Sequence, residues 1–208
     1  MLNRFLPIAV LSCVIMVFGC TTTPIRPVAS ENDFATKEAK LPLKVAFACT
    51  EAFKNYAYEQ VDGGDLQNWR LELGPAAADM FRYDLGAHFE KVDVLAATNY
   101  PLPTDVKAVL SPTITKVSAG FPIMFKFEMY TVNVTLSVDV CDAAGKPVYS
   151  QSYTGEGKQQ GAIGQQSAGI AALPVASRRA LHAAIDLAVQ DLVAYVQHGT
   201  RPQTAARN

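Results

Sequence analysis

The sequence predicts an α+β fold, a mixed α/β arrangement with a single sheet, an N-terminal β-α-β unit, a central β-hairpin region and a C-terminal helix packed on the sheet. Three observations lead there. The apolar run "LKVAFA" is followed by a helical stripe and then by a second strand-like run, "KVDVLA". The segment "VNVTLSVDV" alternates apolar and polar side chains with the period of a half-buried strand. The segment "ALHAAIDLAVQDLVAYV" repeats its apolar side chains at helical spacing. The long middle of the chain is hairpin-like rather than alternating strand and helix, which excludes a doubly wound sheet.

Along the chain, the first element is a leader. Arg4 precedes an apolar stretch that ends at Phe18, Gly19 and Cys20 and is shorter than the roughly 20 apolar residues a membrane span needs. A cationic start, an apolar centre and a small residue before a cut describe a secretory signal peptide. The tail "VFGC" resembles the lipobox of bacterial lipoproteins. That resemblance implies a signal peptide over residues 1–19, cut before Cys20, with diacylglycerol on the Cys20 thiol and an acyl chain such as palmitate on the new amine. Each buried lipid methylene contributes about 0.8 kcal/mol, so several chains on one residue give stable anchoring. Thr21 and Thr22 follow where Asp would favour the inner membrane, so the resemblance implies a periplasm-facing anchor in the outer membrane.

Residues 20–41 are rich in Thr and Pro and lack an apolar period, which predicts a lipidated cysteine on a flexible tether. Residues 42–198 form a single stretch of domain length, and residues 199–208 read as a flexible tail. Within the domain, "LKVAFACT" (43–50) opens as a buried strand, and Asp62-Gly63-Gly64-Asp65 signals a loop. Gly74-Pro75 starts a helix whose apolar face is Ala77, Met80, Phe81, Leu85 and Phe89, and a strand over 91–96 follows. Residues 105–119 read as a strand broken or bulged near Pro112. In the next segment Ile123, Phe125, Phe127 and Met129 share one parity and Val132 to Val140 the other, which predicts a bend or new strand near Tyr130. Residues 142–147 turn the chain into a returning strand over 148–154. A helix over 174–197 closes the domain on Leu181, Ala184, Ile185, Ala188, Leu192 and Val196, with Gly199 and Pro202 as stop signals.

Removing residues 1–19 takes away Arg4 alone among the charges, leaving 17 Lys+Arg against 19 Asp+Glu, a balance of −2. Without a basic excess, nucleic acid is not an expected partner, and no polybasic lipid-binding patch is present. Of four cysteines, Cys13 leaves with the leader and Cys20 is the lipidation site. Cys49 and Cys141 remain, either as a candidate disulfide in an oxidising compartment or as two buried free thiols.

No His, Cys or acidic pair has metal-ligand spacing, and no cofactor is expected. His88 lies on the apolar face of the first helix, where a hydrogen-bonded structural histidine is expected; His182 and His198 read as solvated helix residues. Ser111, Ser118 and Ser137 lie outside any GxSxG setting, so no hydrolase elbow is predicted. "GEGKQQGAIG" fails the Walker spacing. It reads instead as a mobile loop in which Gly155, Gly157, Lys158, Gly161 and Gly164 are candidate partner contacts. The apolar stretch 119–127 is either a core strand or an exposed docking edge.

In plan, with "LKVAFA" and the closing "ALHAAIDLAVQDLVAYV" carrying most of the likeness, the chain resembles small envelope lipoproteins. This group contains the penicillin-binding-protein activator LpoB, the curli-secretion protein CsgG and the polysaccharide-export protein PelC, whose shared domain is similar to the N-terminal domain of TolB. The resemblance covers residues 42–197 and carries no site residue across. It implies a non-enzymatic accessory or docking factor for an envelope assembly, export or cell-wall machine, with an envelope protein as partner and self-association compatible with the role. The second reading is a lipid or small-molecule carrier with a cavity lined by Phe121, Ile123, Phe125 and Phe127.

Overall fold

A computed structural model describes residues 23–34, 39–60, 69–97, 100–120, 129–161 and 166–199. The α+β class is the one observed. Its order is β1 (Thr23–Ile25), a 3-10 turn (Glu31–Phe34), β2 (Leu41–Ala48), α1 (Glu51–Lys54), β3 (Ala57–Gln60), β4 (Trp69–Glu72), α2 (Gly74–His88), β5 (Phe89–Leu95), β6 (Val106–Gly120), β7 (Met129–Cys141), β8 (Pro147–Gln160) and α3 (Gln166–His198).

The strands form two sheets rather than one. The main sheet runs β5-β2-β6-β7-β8, parallel through β5, β2 and β6 and antiparallel from β6 onward. The smaller sheet, β1-β4-β3, is built around the Asp62–Asp65 turn signal: β3 and β4 pair antiparallel on either side of residues 61–68, which lie outside the described residues. Each of these strands is only four residues long, too short to show a period, so the sequence signals only a loop here.

Strand β2, which lies between β5 and β6, is apolar without alternation over residues 45–48 because both of its faces are covered there. Val45 and Phe47 join the main core with α2, whereas Ala46 and Ala48 face a second cluster with Val106, Val109 and Leu102. That second cluster lies beneath the connection from β5 to β6, which crosses β2 and is held where the Leu102 amide donates to the Ala143 carbonyl at 2.9 Å. On the main face, Val132, Val134, Leu136, Val138 and Val140 of β7 are all fully buried under the helices. Helix α2 buries Ala77, Met80, Phe81 and Leu85 as its spacing predicts.

Pro112 is tolerated near the middle of β6. Pairing with β2 ends at Leu110, so among the described residues no strand pairs with that side of β6 from there on. The register shift on the β7 side falls between Ile114 and Lys116, just beyond the proline. Strand β7 begins at Met129, next to the predicted break at Tyr130; residues 121–128 lie outside the described residues.

Two elements are longer than predicted. Strand β8 continues from Thr154 through Gly155 and Gly157 to Gln160, and α3 starts at Gln166, so Pro174 lies inside the helix rather than at its start. The helix tolerates that proline at the cost of one backbone hydrogen bond. Tyr153 ties the two elements together: its hydroxyl donates to Asp191 Oδ2 at 2.8 Å.

Candidate functional site

Cys20, the predicted lipidation site, lies outside the described residues, which begin at Thr23. Residues 23–34 are not a free tether. Strand β1 pairs in parallel with β4, Thr23 opposite Trp69 and Ile25 opposite Leu71, and Ile25 is buried. Nine residues after Ile25, the 3-10 turn buries Phe34 against α3, where its ring stacks on His182 with centroids 4.6 Å apart. The His182 Nε2 atom lies 2.9 Å from the Asp33 carbonyl, and Arg178 sits 3.6 Å from the Asp33 carboxylate. His182 is therefore a half-buried fastening for the N-terminal segment, not a solvated residue. His198 is exposed. Thr and Pro hid the docking in the sequence, because β1 takes its pairing from a strand more than forty residues away.

The glycine-rich segment is also not the loop that was expected. Gly155, Gly157 and Lys158 lie in β8, Gly161 is buried just after it, and Gly164 is outside the described residues. The glycines are required by helix α3. A Cβ on Gly155 would stand 2.0 Å from the Ala180 carbonyl oxygen, and one on Gly157 would stand 1.9 Å from that of Ala176. Lys158 pairs with Glu156 at 2.7 Å, and the Lys158 carbonyl accepts a hydrogen bond from Arg179. The helix backbone thus rests directly on the strand, and no ligand-sized space separates α3 from this part of β8. The carrier cavity proposed from Phe121, Ile123, Phe125 and Phe127 falls outside the described residues.

Cys49 and Cys141 are free thiols, both half-buried. Cys49 follows β2 and Cys141 ends β7, with β6 between these strands. Two strand spacings are about 10 Å, beyond the roughly 7 Å that a disulfide spans. Cys49 borders an open groove of about 400 Å³ with Glu51, Lys54, Asp79 and Arg82 at the carboxyl ends of β2 and β5. Burial pushes its thiol above the ordinary value, which disfavours the nucleophilic thiolate. Among the described residues, no three His, Cys, Asp or Glu side chains converge as metal ligands.

His88 pairs with a side chain rather than with backbone, its Nε2 lying 3.5 Å from Asp84 Oδ1. Asp84 is not among the residues that the sequence pattern singles out. It is only 2% exposed, and its Oδ2 has no hydrogen-bond partner among the described residues. Burial, reinforced by the nearby Asp186 carboxylate on α3, raises its pKa from 3.8 to about 7. The available signal was its position four residues after Met80 and three after Phe81, on the core-facing side of α2.

No protein-family model and no curated protein matches the sequence. Solved structures do match. A Xanthomonas campestris protein carrying the family model DUF330 superposes with a TM-score of 0.50 at 12% identity, over 85% of this chain and 96% of that one. This likeness shows a shared fold. A minor lipoprotein from Acinetobacter baumannii matches with a TM-score of 0.42 at 10% identity, over 79% of this chain and all of that one. A Chlamydia trachomatis protein matches with a TM-score of 0.43 at 11% identity, over 75% of this chain and 98% of that one. Among the described residues, no helix is long and apolar enough to cross a membrane.

Proposed function

We propose that the mature chain is an outer-membrane-anchored, periplasm-facing lipoprotein that acts without catalysis, docking onto an envelope assembly, export or cell-wall machine. The address rests on the leader and its "VFGC" ending at Cys20. The docking role, in preference to a carrier, rests on one structural observation: the backbone of α3 lies directly on Gly155 and Gly157. A carrier with a sheet-and-helix fold would keep its ligand between helix and sheet, and among the described residues that space is closed where α3 crosses β8 at Gly155 and Gly157. Recognition is therefore assigned to the outside of the domain. The mixed and nearly balanced surface charge suits a protein partner better than a polyanion. The accessory role is also the one implied by the likeness in plan to the LpoB, CsgG and PelC group.

The test is cross-linking of the native chain in intact envelopes, followed by mass spectrometry, beside a Cys20→Ala variant. The native chain is expected to capture a recurrent envelope protein. The variant is expected to lose lipid labelling and, with it, that capture. Recovery of the chain with a tightly held lipid or small molecule and no recurrent protein would favour the carrier instead.

A further inference from the structure

If Cys20 carries the lipid, as proposed above, the place where the folded chain begins decides where the domain sits. A flexible tether over residues 20–41 would let the domain roam, with an average reach of roughly 25 Å and a much longer maximum. The structure removes most of that freedom. Thr23 already lies opposite Trp69, Ile25 is buried, Arg26 forms an ion pair with Glu72, and Phe34 is clamped by His182. Only Thr21 and Thr22 stand between Cys20 and β1. Three peptide links span at most about 11 Å.

We infer that the domain rests on the membrane surface, with the end of the small sheet where Thr23, Trp69 and Gln60 lie turned toward the leaflet that holds the anchor; residues 61–68, which join β3 to β4 at this end, lie outside the described residues. These three residues lie together because β1 and β4 run in parallel and β3 ends opposite the start of β4. The charges on this sheet are paired among themselves, Arg70 with Glu59 at 2.8 Å and Arg26 with Glu72. These described strands therefore offer no unpaired cation to anionic lipid, and the short link is what holds the domain down. The geometry carries a consequence for the partner, which must present its docking site close to the membrane plane.

Trp69 is the only tryptophan in the chain and marks this end of the sheet. Energy transfer from Trp69 to a dansyl-labelled phosphatidylethanolamine provides the test, with the lipidated mature chain in vesicles of phosphatidylethanolamine and phosphatidylglycerol. A companion variant carries a Gly/Ser spacer of about twenty residues between Thr22 and Thr23, long enough to restore a free tether. The native chain is expected to lose more than half of its Trp69 emission to the labelled lipid, and the spacer variant to regain most of it. Equal transfer in the two vesicle-bound chains would overturn the inference while leaving the anchor intact. A chain that does not float with the vesicles would refute the anchor reading itself, and this inference with it.

Discussion

Replacing Gly157 by alanine is expected to unfold much of the population or lower the melting temperature sharply, although the change adds one methyl group. The added Cβ would lie 1.9 Å from the Ala176 carbonyl oxygen and 2.6 Å from the Ala180 amide nitrogen. Both obstacles are backbone of α3, so no side-chain rotation relieves them. The helix must lift from the sheet by more than an ångström. It carries Ala176, Ala180, Leu181, Ala184 and Ile185, all fully buried, so the lift loosens the whole layer between α3 and the main sheet. Ordinary overpacking costs about 1–3 kcal/mol, and a rigid clash of this kind belongs at or above the top of that range. Gly155→Ala meets the Ala180 carbonyl oxygen at 2.0 Å and should behave alike. The double variant should cost less than the sum, because one displaced helix accommodates both groups. Gly86→Ala is the control. It lies within α2 with open space at its Cβ position and should gain up to about 1 kcal/mol from helix propensity. Thermal melts or urea titrations of the four variants decide the matter. Near-native stability for Gly157→Ala would mean that α3 does not sit on β8 as described.

The second large effect depends on pH. The Asp84 carboxyl has a pKa raised from 3.8 to about 7, so between these values the folded chain holds a proton that the unfolded chain has released. The contribution of this group to stability is therefore undiminished at and below about pH 4 and falls as pH rises, with the full penalty present above about pH 7. The difference amounts to at most about 4 kcal/mol, since each pKa unit is worth about 1.4 kcal/mol. Two groups face the carboxyl: His88 on the same helix at 3.5 Å, and Asp186 from α3, which adds to the penalty. Asp84→Asn keeps the shape and removes the charge. The variant should match the native chain near pH 4 and exceed it at pH 8. The net gain is on the order of 1–2 kcal/mol, because the amide is itself desolvated there. A variant that is less stable than the native chain at pH 8 would show the opposite: that an ion pair with His88 supports the fold.

The parts of the fold that were legible in the sequence are those whose neighbours impose a simple period. Val132 to Val140 alternate because one face of β7 lies under the helices. Ala77, Met80, Phe81 and Leu85 recur at helical spacing because α2 presents one side to the core. The β-α-β unit followed from the order of these signals, and β2 and β5 do lie side by side in parallel. What was missed depends on partners distant in the chain. Gly155 and Gly157 look like loop residues until α3 is placed over them, some twenty residues later in the sequence. Pro174 suggested a helix start because a proline inside a helix is costly, yet α3 runs through it. The Thr- and Pro-rich N-terminal segment shows no period, since its strand is three residues long and borrows its ladder from β4. Asp84 escaped notice because a charged residue on a buried helix face runs against the usual pattern. For the candidate site the balance is reversed. Cys20 is legible only in the sequence, through the residues that precede it, whereas the short link from it to β1 is legible only in the structure.

The most direct test of the central claim, a folded domain carried on a lipidated N-terminus, is intact-mass and N-terminal peptide mass spectrometry of the chain purified from native membranes. The account predicts a mature chain that begins at Cys20, with a diacylglyceryl group on the thiol and an acyl chain on the amine. A chain that retains residues 1–19, or one that begins elsewhere with an unmodified amine and a free Cys20, would contradict it.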